Sequence, residues 1–253
     1  MLLTERQVEW QLLVDPVGRN GAGNMAIDAN LLAQAAHTGR AFLRLYRFDP
    51  PCLSLGRNEA TAHYDRAAIA RRGLEVVRRP TGGRAVWHEH ELTYAVAAPI
   101  VTFGGLRAAY RAIHTRIAVA LRSLGVDATL APDRPRPPAS PSSCFASPVG
   151  GEVLVGGRKV VGSAQVREGS AFLQHGSILL AGSQEVIAAV SRKPHAAGAA
   201  TTLSAELGRR ITWDEVADAV ELAWNDECAS TAPYRPLPPS TAFFSDPAWT
   251  WRR

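Results

Sequence analysis

The pattern of hydrophobic and polar positions predicts strands that are grouped in blocks, with helices between the blocks. The clearest helical pattern covers Leu106–Leu124, where apolar residues recur at helical spacing and Gly125 follows. A helix is also predicted to begin near Asn24, a good N-cap, and another after Thr212, which forms a capping-box pattern with Glu215. Two shorter helical patterns are Asp65–Arg72 and Ser183–Val190.

Short apolar or alternating runs, bounded by Gly and Pro, predict the strands. These runs are Val8–Val14, Ala41–Phe48, Cys52–Leu55, Leu74–Arg79, Ala85–His88, Glu91–Ala98, Glu152–Val155, Arg158–Arg167 and Ala171–Leu180. Short glycine-containing turns join the last three runs, which are therefore predicted to form a meander. Strands in blocks with helices between them predict an α+β fold with a mixed, mostly antiparallel sheet and flanking helices. The chain shows no internal repeat, and residues 1–253 are interpreted as a single domain.

The composition is typical of a globular protein that can bury a hydrophobic core. Of 253 residues, 46% are hydrophobic and 20% are charged. The formal charge of +5 comes from arginine, because Lys159 and Lys193 are the only lysines. A basic surface attracts acidic partners, but the arginines are scattered, which argues against nucleic-acid binding. The N-terminus resembles no signal peptide and no apolar run could span a membrane, so we expect a cytoplasmic protein.

The three cysteines, Cys52, Cys144 and Cys228, form no CxxC pair. Their number and spacing argue against a zinc site or a disulfide framework and favour a reducing compartment. Cys52 and Cys228 fit the pattern of buried, unreactive thiols. His88 and His90 alternate with glutamates, but no third ligand follows at metal spacing, so no metal site is predicted.

The segment Arg78–His88 combines a Thr81-Gly82-Gly83 turn with flanking arginines. Two glycines let the backbone approach a ligand closely and turn its N–H groups outward. Arg79 adds a charge that suits a phosphate or a carboxylate. The alternative is an ordinary hairpin with arginines on its surface.

Lys159 and Cys144 are the candidate catalytic residues. Lys159 lies among apolar strand residues, where desolvation favours its neutral form and suits it to proton transfer; the alternative is a lysine that snorkels from an edge strand. Cys144 lies in a Pro-rich loop over 132–148, a setting in which catalytic groups are common. A thiol needs a base or a cation to act as a nucleophile, and Lys159 could serve as both. His175, before Gly176, is a further candidate, although a lone histidine is more often a satisfied core residue.

Together these segments resemble the biotin/lipoate protein ligase and transferase superfamily, and within it the cysteine octanoyltransferases of the LipM type. The resemblance covers nearly the whole chain, with the motifs in the same order. The motifs are Asn24–Asp28, Arg44–Tyr46, Leu53–Gly56, Arg78–His88, Glu91–Tyr94, Ser143–Phe145, the Lys159 segment, Leu173–Leu180 and Trp249. The separation of 15 positions between Cys144 and Lys159 is similar to that in the transferases. Arg84 after the double glycine is also similar to them, because ATP-using ligases more often have a third glycine there.

The resemblance implies the catalytic domain shared with biotin ligases and class II synthetases, and an acyltransferase of protein lipoylation. Cys144 would attack octanoyl-acyl carrier protein, and the thioester would pass octanoate to a lysine of a lipoyl domain or of the glycine-cleavage H protein. Lys159 would contact the acyl carbonyl. The residues implied to bind the substrate are Arg79, Thr81, Gly82, Gly83, His88, Gly162, Ser163, Ala164, His175 and Gly176. No cofactor is implied, and a monomer is expected.

The chain departs from the family pattern at several positions. Glu89 stands where Asp is usual after the histidine, and this change is interpreted as affecting how His88 is held. Glu59 stands where Gln is common. Gly150-Gly151 replaces an aromatic pair and is interpreted as loosening the loop that carries the cysteine.

Other functions remain open at this level. An ATP-dependent lipoate–protein ligase would use the Arg78–Arg84 turn to hold an acyl-adenylate phosphate, with Cys144 incidental. A lipoyl amidotransferase would move the acyl group between lipoyl proteins. A non-enzymatic module would dock an acidic carrier protein on the basic face and would bind acyl groups without turnover. An assay for an ATP requirement separates the ligase from the transferase.

Overall fold

The computed structural model describes residues 8–133, 150–192, 200–225 and 240–252. Cys144, Cys228 and most of the predicted Pro-rich loop lie outside these residues. The described strands are β1 (Trp10–Arg19), β2 (Ala41–Phe48), β3 (Cys52–Leu55), β4 (Glu75–Arg78), β5 (Val86–His88), β6 (Glu91–Pro99), β7 (Ala128–Leu130), β8 (Val153–Val155), β9 (Arg158–Lys159), β10 (Val161–Glu168) and β11 (Ala171–Leu179). The described α-helices are α1 (Gly21–Thr38), α2 (Arg66–Arg71), α3 (Leu106–Ser123), α4 (Glu185–Ala189), α5 (Leu203–Leu207), α6 (Trp213–Leu222), α7 (Ala242–Ser245) and α8 (Pro247–Thr250). None of these helices is long and apolar enough to cross a membrane.

Three sheets are formed by the described strands. The large sheet has the order β1-β2-β6-β11-β10, and all of its pairs are antiparallel except β1 with β2. The two small sheets have the orders β4-β3-β5 and β7-β8-β9. The architecture confirms the predicted α+β fold with a mixed, mostly antiparallel sheet and flanking helices.

Helices pack on both faces of the large sheet, because its central strands have apolar side chains on both faces. Successive side chains of a strand point to opposite faces, so Tyr94 packs with α3 and α6, whereas the next residue, Ala95, packs with α1. Ile113, Ile117 and Leu121 of α3 are fully buried, and each contributes about 2 kcal/mol to stability. The α1 face also carries part of the β4-β3-β5 sheet, since Cys52 and Val77 share its core cluster. This arrangement leaves a space between the two sheets.

Helix α1 begins four residues earlier than the sequence pattern predicts. Its N-cap is Asn20, whose side chain accepts a hydrogen bond from Gly23 N at 2.8 Å. Asn24 is buried instead, and its Nδ2 donates to Arg19 O at 3.0 Å and to Arg47 O at 3.1 Å. The prediction was wrong because both asparagines satisfy the chemistry of an N-cap. Tertiary contacts to the backbone of β1 and β2 decide between them.

The predicted strand Arg158–Arg167 is in fact two strands in different sheets. β9 pairs with β8 in a small sheet, whereas β10 pairs with β11 in the large sheet. Buried Val160 lies at the crossing, where its N–H donates to Val153 O at 3.3 Å and its carbonyl accepts from Leu179 N at 3.1 Å. The predicted meander is therefore wrong, because a continuous run of β-forming residues does not reveal where a chain changes sheets.

The C-terminal helices α7 and α8 pack against α1 and β4. Trp249 Nε1 donates to Arg78 O at 2.8 Å, and Arg78 Nε donates to Thr250 O at 3.0 Å. Arg78 Nη1 also donates to Gly56 O at 2.6 Å. Fully buried Arg78 therefore links the end of the chain to the strand that leads into the glycine turn.

Candidate active site

A pocket lies between the α1 face of the large sheet and the β4-β3-β5 sheet. It has about 350 Å³ of empty space, a volume that includes open solvent at its mouth. Its apolar wall is formed by Met25, Tyr46, Phe48, Val86 and Ala164. Its other lining residues are Ser54, Arg79, His88, Thr93, Gly162, Ser163, His175, Gly176 and Ser177.

Seven of the ten residues that the sequence predicts to bind substrate line this pocket. They are Arg79, His88, Gly162, Ser163, Ala164, His175 and Gly176. Strand pairing brings two of the motifs together, because residues 162–164 of β10 lie opposite residues 175–177 of β11. Thr81, Gly82 and Gly83 are not among the residues that line the pocket. Whether these residues bind substrate stays a prediction.

Arg79 braces the Thr81-Gly82-Gly83 turn from inside. Its Nε and Nη2 donate to Gly82 O at 3.2 and 2.7 Å, and its Nη2 also donates to Arg84 O at 2.6 Å. Its Nη1 donates to Ser54 O at 3.0 Å. The guanidinium therefore uses its donors on carbonyl oxygens of β3 and of the turn.

His175 is held between an acid and a hydroxyl. Its Nδ1 donates to Asp28 Oδ2 at 2.9 Å, and its Nε2 accepts from Thr81 Oγ1 at 2.6 Å. Burial lowers the pKa of His175, so the neutral ring with its proton on Nδ1 satisfies both bonds. Burial opposes ionisation of Asp28, but the hydrogen bond from His175 and the charge of Arg44 outweigh it and lower the pKa of Asp28. Thr81 does not line the pocket, but its hydrogen bond fixes the ring of His175, which does.

His88 belongs to a second hydrogen-bonded chain, along the wall made by β3, β5 and β6. Ser54 Oγ donates to His88 Nε2 at 2.8 Å, and His88 Nδ1 donates to Glu91 Oε1 at 3.0 Å. The hydroxyls of Thr93 and Ser177 also donate to Glu91, which is almost fully buried. The ring of His88 is therefore oriented by groups on three different strands.

Glu89 does not hold His88, so the interpretation of that departure from the family pattern was wrong. Glu89 Oε2 accepts from Trp87 Nε1 at 3.0 Å, and Glu89 lies with His90 in the exposed turn between β5 and β6. Glu91 holds the ring because it is the first residue after the turn. Within the described ranges, no group of three or more His, Cys, Asp or Glu side chains could hold a metal ion.

The hydroxyl of Ser163 points to the other face of the large sheet. Its Oγ lies 2.6 Å from Tyr94 Oη and 2.8 Å from His114 Nε2. A Cβ on Gly176 would come within 2.4 Å of Ser163 Oγ, so only glycine fits there. His114 Nδ1 donates to Gly151 O at 2.7 Å, and burial lowers the pKa of His114 to about 4. The sequence pattern did not single out His114, because it lies on the buried face of the amphipathic helix α3.

Lys159 is buried but is not among the residues that line the pocket. Its Nζ donates to Glu152 Oε1 at 2.6 Å, and the two side chains are 2% and 5% exposed. Cys144 lies outside the described residues, so its proximity to Lys159 stays a prediction. Burial raises the pKa of Cys52 well above its ordinary value, in agreement with the expectation that this thiol is unreactive.

Solved structures with the same architecture place the chain in the class of lipoate–protein ligase folds. Lipoate-protein ligase A bound with ATP gives a TM-score of 0.73 at 21% identity, and the match covers 88% of this chain and 86% of that chain. The bipartite lipoate protein ligase from Thermoplasma acidophilum gives a TM-score of 0.69 at 19% identity and covers 97% of each chain. At these identities the likeness concerns the fold alone.

Residues 20–224 match the lipoyl protein ligase A/B catalytic domain, and the chain belongs to this family. Octanoyltransferase LipM of Kyrpidia tusciae is 44% identical over 196 residues, which are 73% of this chain and 71% of the relative. Octanoyltransferase LipM of Symbiobacterium thermophilum is 37% identical over 232 residues, which are 84% of each chain. These matches confirm the resemblance that the sequence motifs indicated.

Proposed function

We propose that this chain is an octanoyltransferase of protein lipoylation that works through a cysteine thioester. The observation that carries octanoyl transfer is the identity of 44% and 37%, over most of the chain, to relatives named octanoyltransferase. We assign octanoyl-acyl carrier protein as the donor and a lysine of a lipoyl domain or glycine-cleavage H protein as the acceptor.

The reaction then has two half-reactions. Cys144 Sγ attacks the thioester carbon, the C–S bond to the carrier breaks, and the proton lost by Cys144 goes to the carrier sulfur. Next, the acceptor amine attacks octanoyl-Cys144 and forms the amide, and the C–S bond to Cys144 breaks. One proton of the acceptor ammonium returns to Cys144 and one passes to a base. We assign proton transfer and stabilisation of the oxyanion to Lys159.

The pairing of polar groups around the pocket supports an acyl chain as its ligand. The imidazole nitrogens of His88 and His175 all have hydrogen-bond partners within the protein, and the same holds for the hydroxyls of Ser54 and Ser177. Polar groups that are already satisfied do not require a polar ligand. Together with Met25 and the neighbouring apolar wall, the pocket suits an aliphatic chain.

Incubation with octanoyl-acyl carrier protein, followed by peptide mass spectrometry, tests the proposal. We expect an octanoyl adduct on the Cys144 peptide, which disappears when a lipoyl domain is added and itself becomes octanoylated. Cys144→Ala should abolish both adducts. Cys52→Ala is the matched control and should leave them unchanged, because Cys52 is fully buried.

Two results would overturn the proposal. One is octanoylation of the lipoyl domain by Cys144→Ala at the wild-type rate. The other is modification that requires ATP and free octanoate or lipoate, which would identify a ligase instead.

A further inference from the structure

The buried partner of Lys159 is the carboxylate of Glu152, which the sequence pattern did not single out. Lys159 Nζ and Glu152 Oε1 are 2.6 Å apart, and both side chains are almost completely buried. Taking two charges out of water is costly unless they compensate each other closely. The candidate catalytic lysine is thus one half of an ion pair, and its charge cannot be considered without that of Glu152.

Helix α3 places Tyr110 and His114 beside this ion pair. Tyr110 Oη lies 3.5 Å from Glu152 Oε1. His114 is neutral at ordinary pH, because burial and, to a smaller extent, the nearby charge of Lys159 lower its pKa to about 4.

Glu152 also lies beside the described residues that flank the segment with the proposed nucleophile. Ala131 N donates to Glu152 O at 2.7 Å, and Gly151 N donates to Ala131 O at 2.8 Å. These bonds join the two described stretches between which Cys144 lies in the sequence. The ion pair is accordingly placed next to both ends of that segment.

A lysine that is already an ammonium cannot accept a proton from a thiol. A carboxylate in direct contact removes this obstacle, because the ammonium–carboxylate and amine–carboxylic acid forms of the pair have the same net charge. Shifting one proton across a hydrogen bond of 2.6 Å moves no net charge out of the pair.

We propose that Glu152 and Lys159 act as one proton-sharing unit in octanoyl transfer, an inference that rests on the proposed roles of Cys144 and Lys159. Glu152 takes a proton from Lys159, and Lys159 then takes the thiol proton of Cys144, which leaves a thiolate beside an ammonium. When the carrier sulfur leaves, Lys159 protonates it, and Glu152 returns its proton to Lys159. In the second half-reaction, the unit accepts the proton that the acceptor ammonium releases.

The rate at which octanoyl-Cys144 forms in a single turnover tests this unit directly. Glu152→Gln should slow this step roughly 100-fold, as expected for loss of a general acid–base, while the KM for the donor changes less than about threefold. Glu152→Asp keeps the carboxylate and should recover a large part of the rate. Glu206→Gln is the matched control, because Glu206 pairs with neighbouring Arg158 at 2.6 Å at the surface, and it should acylate at the wild-type rate.

A double-variant cycle separates a shared role from two independent ones. If the two residues form one unit, Glu152→Gln with Lys159→Gln should be no slower than the slower single variant. The double variant also removes both buried charges, so its fold survives even if the single variant leaves an uncompensated ammonium. Multiplying effects, or a Glu152→Gln rate within about threefold of wild type, would overturn the inference and leave the proposed function intact. Absence of octanoyl-Cys144 in the wild type would instead overturn the proposed function.

Discussion

His114 gives the protein a pH dependence that can be traced to one side chain. A histidine in the unfolded chain binds a proton near pH 6.5, whereas burial delays protonation of native His114 until its pKa of about 4. The unfolded state therefore binds more protons as the pH falls through this range, and the native state loses stability. The loss amounts to about 3 kcal/mol by pH 4. This loss of stability should be complete well below the native pKa of about 4 and absent well above pH 6.5.

Denaturant unfolding between pH 7 and pH 4, in the wild type and in His114→Gln, measures this contribution. Glutamine keeps a donor for Gly151 O but does not titrate, so its stability should fall less steeply with acid. Equal slopes in the two proteins would show that His114 is not the group responsible.

At the scale of single residues, the sequence identified two histidines and the lysine of the candidate site but not their acidic partners. His175, His88 and Lys159 were all singled out from local motifs. Their partners Asp28, Glu91 and Glu152 were not assigned these roles. Asp28 is 147 positions from His175, so only the pairing of α1 with β11 reveals the contact. Glu91 is close in sequence, but the turn after His88 decides that it, and not Glu89, reaches the ring.

At the scale of the element, two glycines of the Gly56–Gly83 contact region differ in why a side chain would matter. Gly56 is tightly packed, whereas Gly82 faces open space. A Cβ on Gly56 would lie 2.0 Å from Gly83 O, whereas a Cβ on Gly82 would meet nothing within 4 Å. Gly56→Ala should therefore destabilise the protein by about 3 kcal/mol, because the backbone of the turn must shift. Gly82→Ala is the matched control and should leave the free energy of unfolding within about 0.5 kcal/mol.

The activity of Gly82→Ala adds a second readout. If octanoylation falls while stability is unchanged, the open space beside Gly82 is used by the substrate, as the family resemblance implies. If activity is also unchanged, Gly82 has no binding role. A stable Gly56→Ala variant would contradict the close packing of the turn against β3.

Several strand and helix bounds agree with those predicted from the sequence, and others do not. The bounds of β2 and β3 agree with the apolar runs, and the capping box at Thr212 is present. The start of α1 and the division at Val160 were not predicted, since each depends on contacts with distant backbone groups. Periodicity locates elements, whereas the sheet that a strand joins is decided by packing.

At the scale of the whole molecule, the C-terminus is joined to the pocket through one strand. Trp249 donates to Arg78 O, and Arg78 is followed directly by Arg79, which braces the glycine turn. Trp249 also packs against the α1 core cluster. We therefore expect the end of the chain to contribute to the shape of the pocket as well as to stability.

Two substitutions at Trp249 separate its packing from its hydrogen bond. Trp249→Phe keeps a ring but loses the Nε1–H donor, and should cost about 1 kcal/mol of unfolding free energy. Trp249→Ala loses both contributions and should cost about 3 kcal/mol, near the lower end for buried aromatics because the side chain is only partly buried. The rate of Cys144 octanoylation should fall in the same order, because Arg78 then loses a fixed partner next to the turn. Reduced stability with an unchanged octanoylation rate in Trp249→Ala would mean that the C-terminal helices support the fold without shaping the pocket.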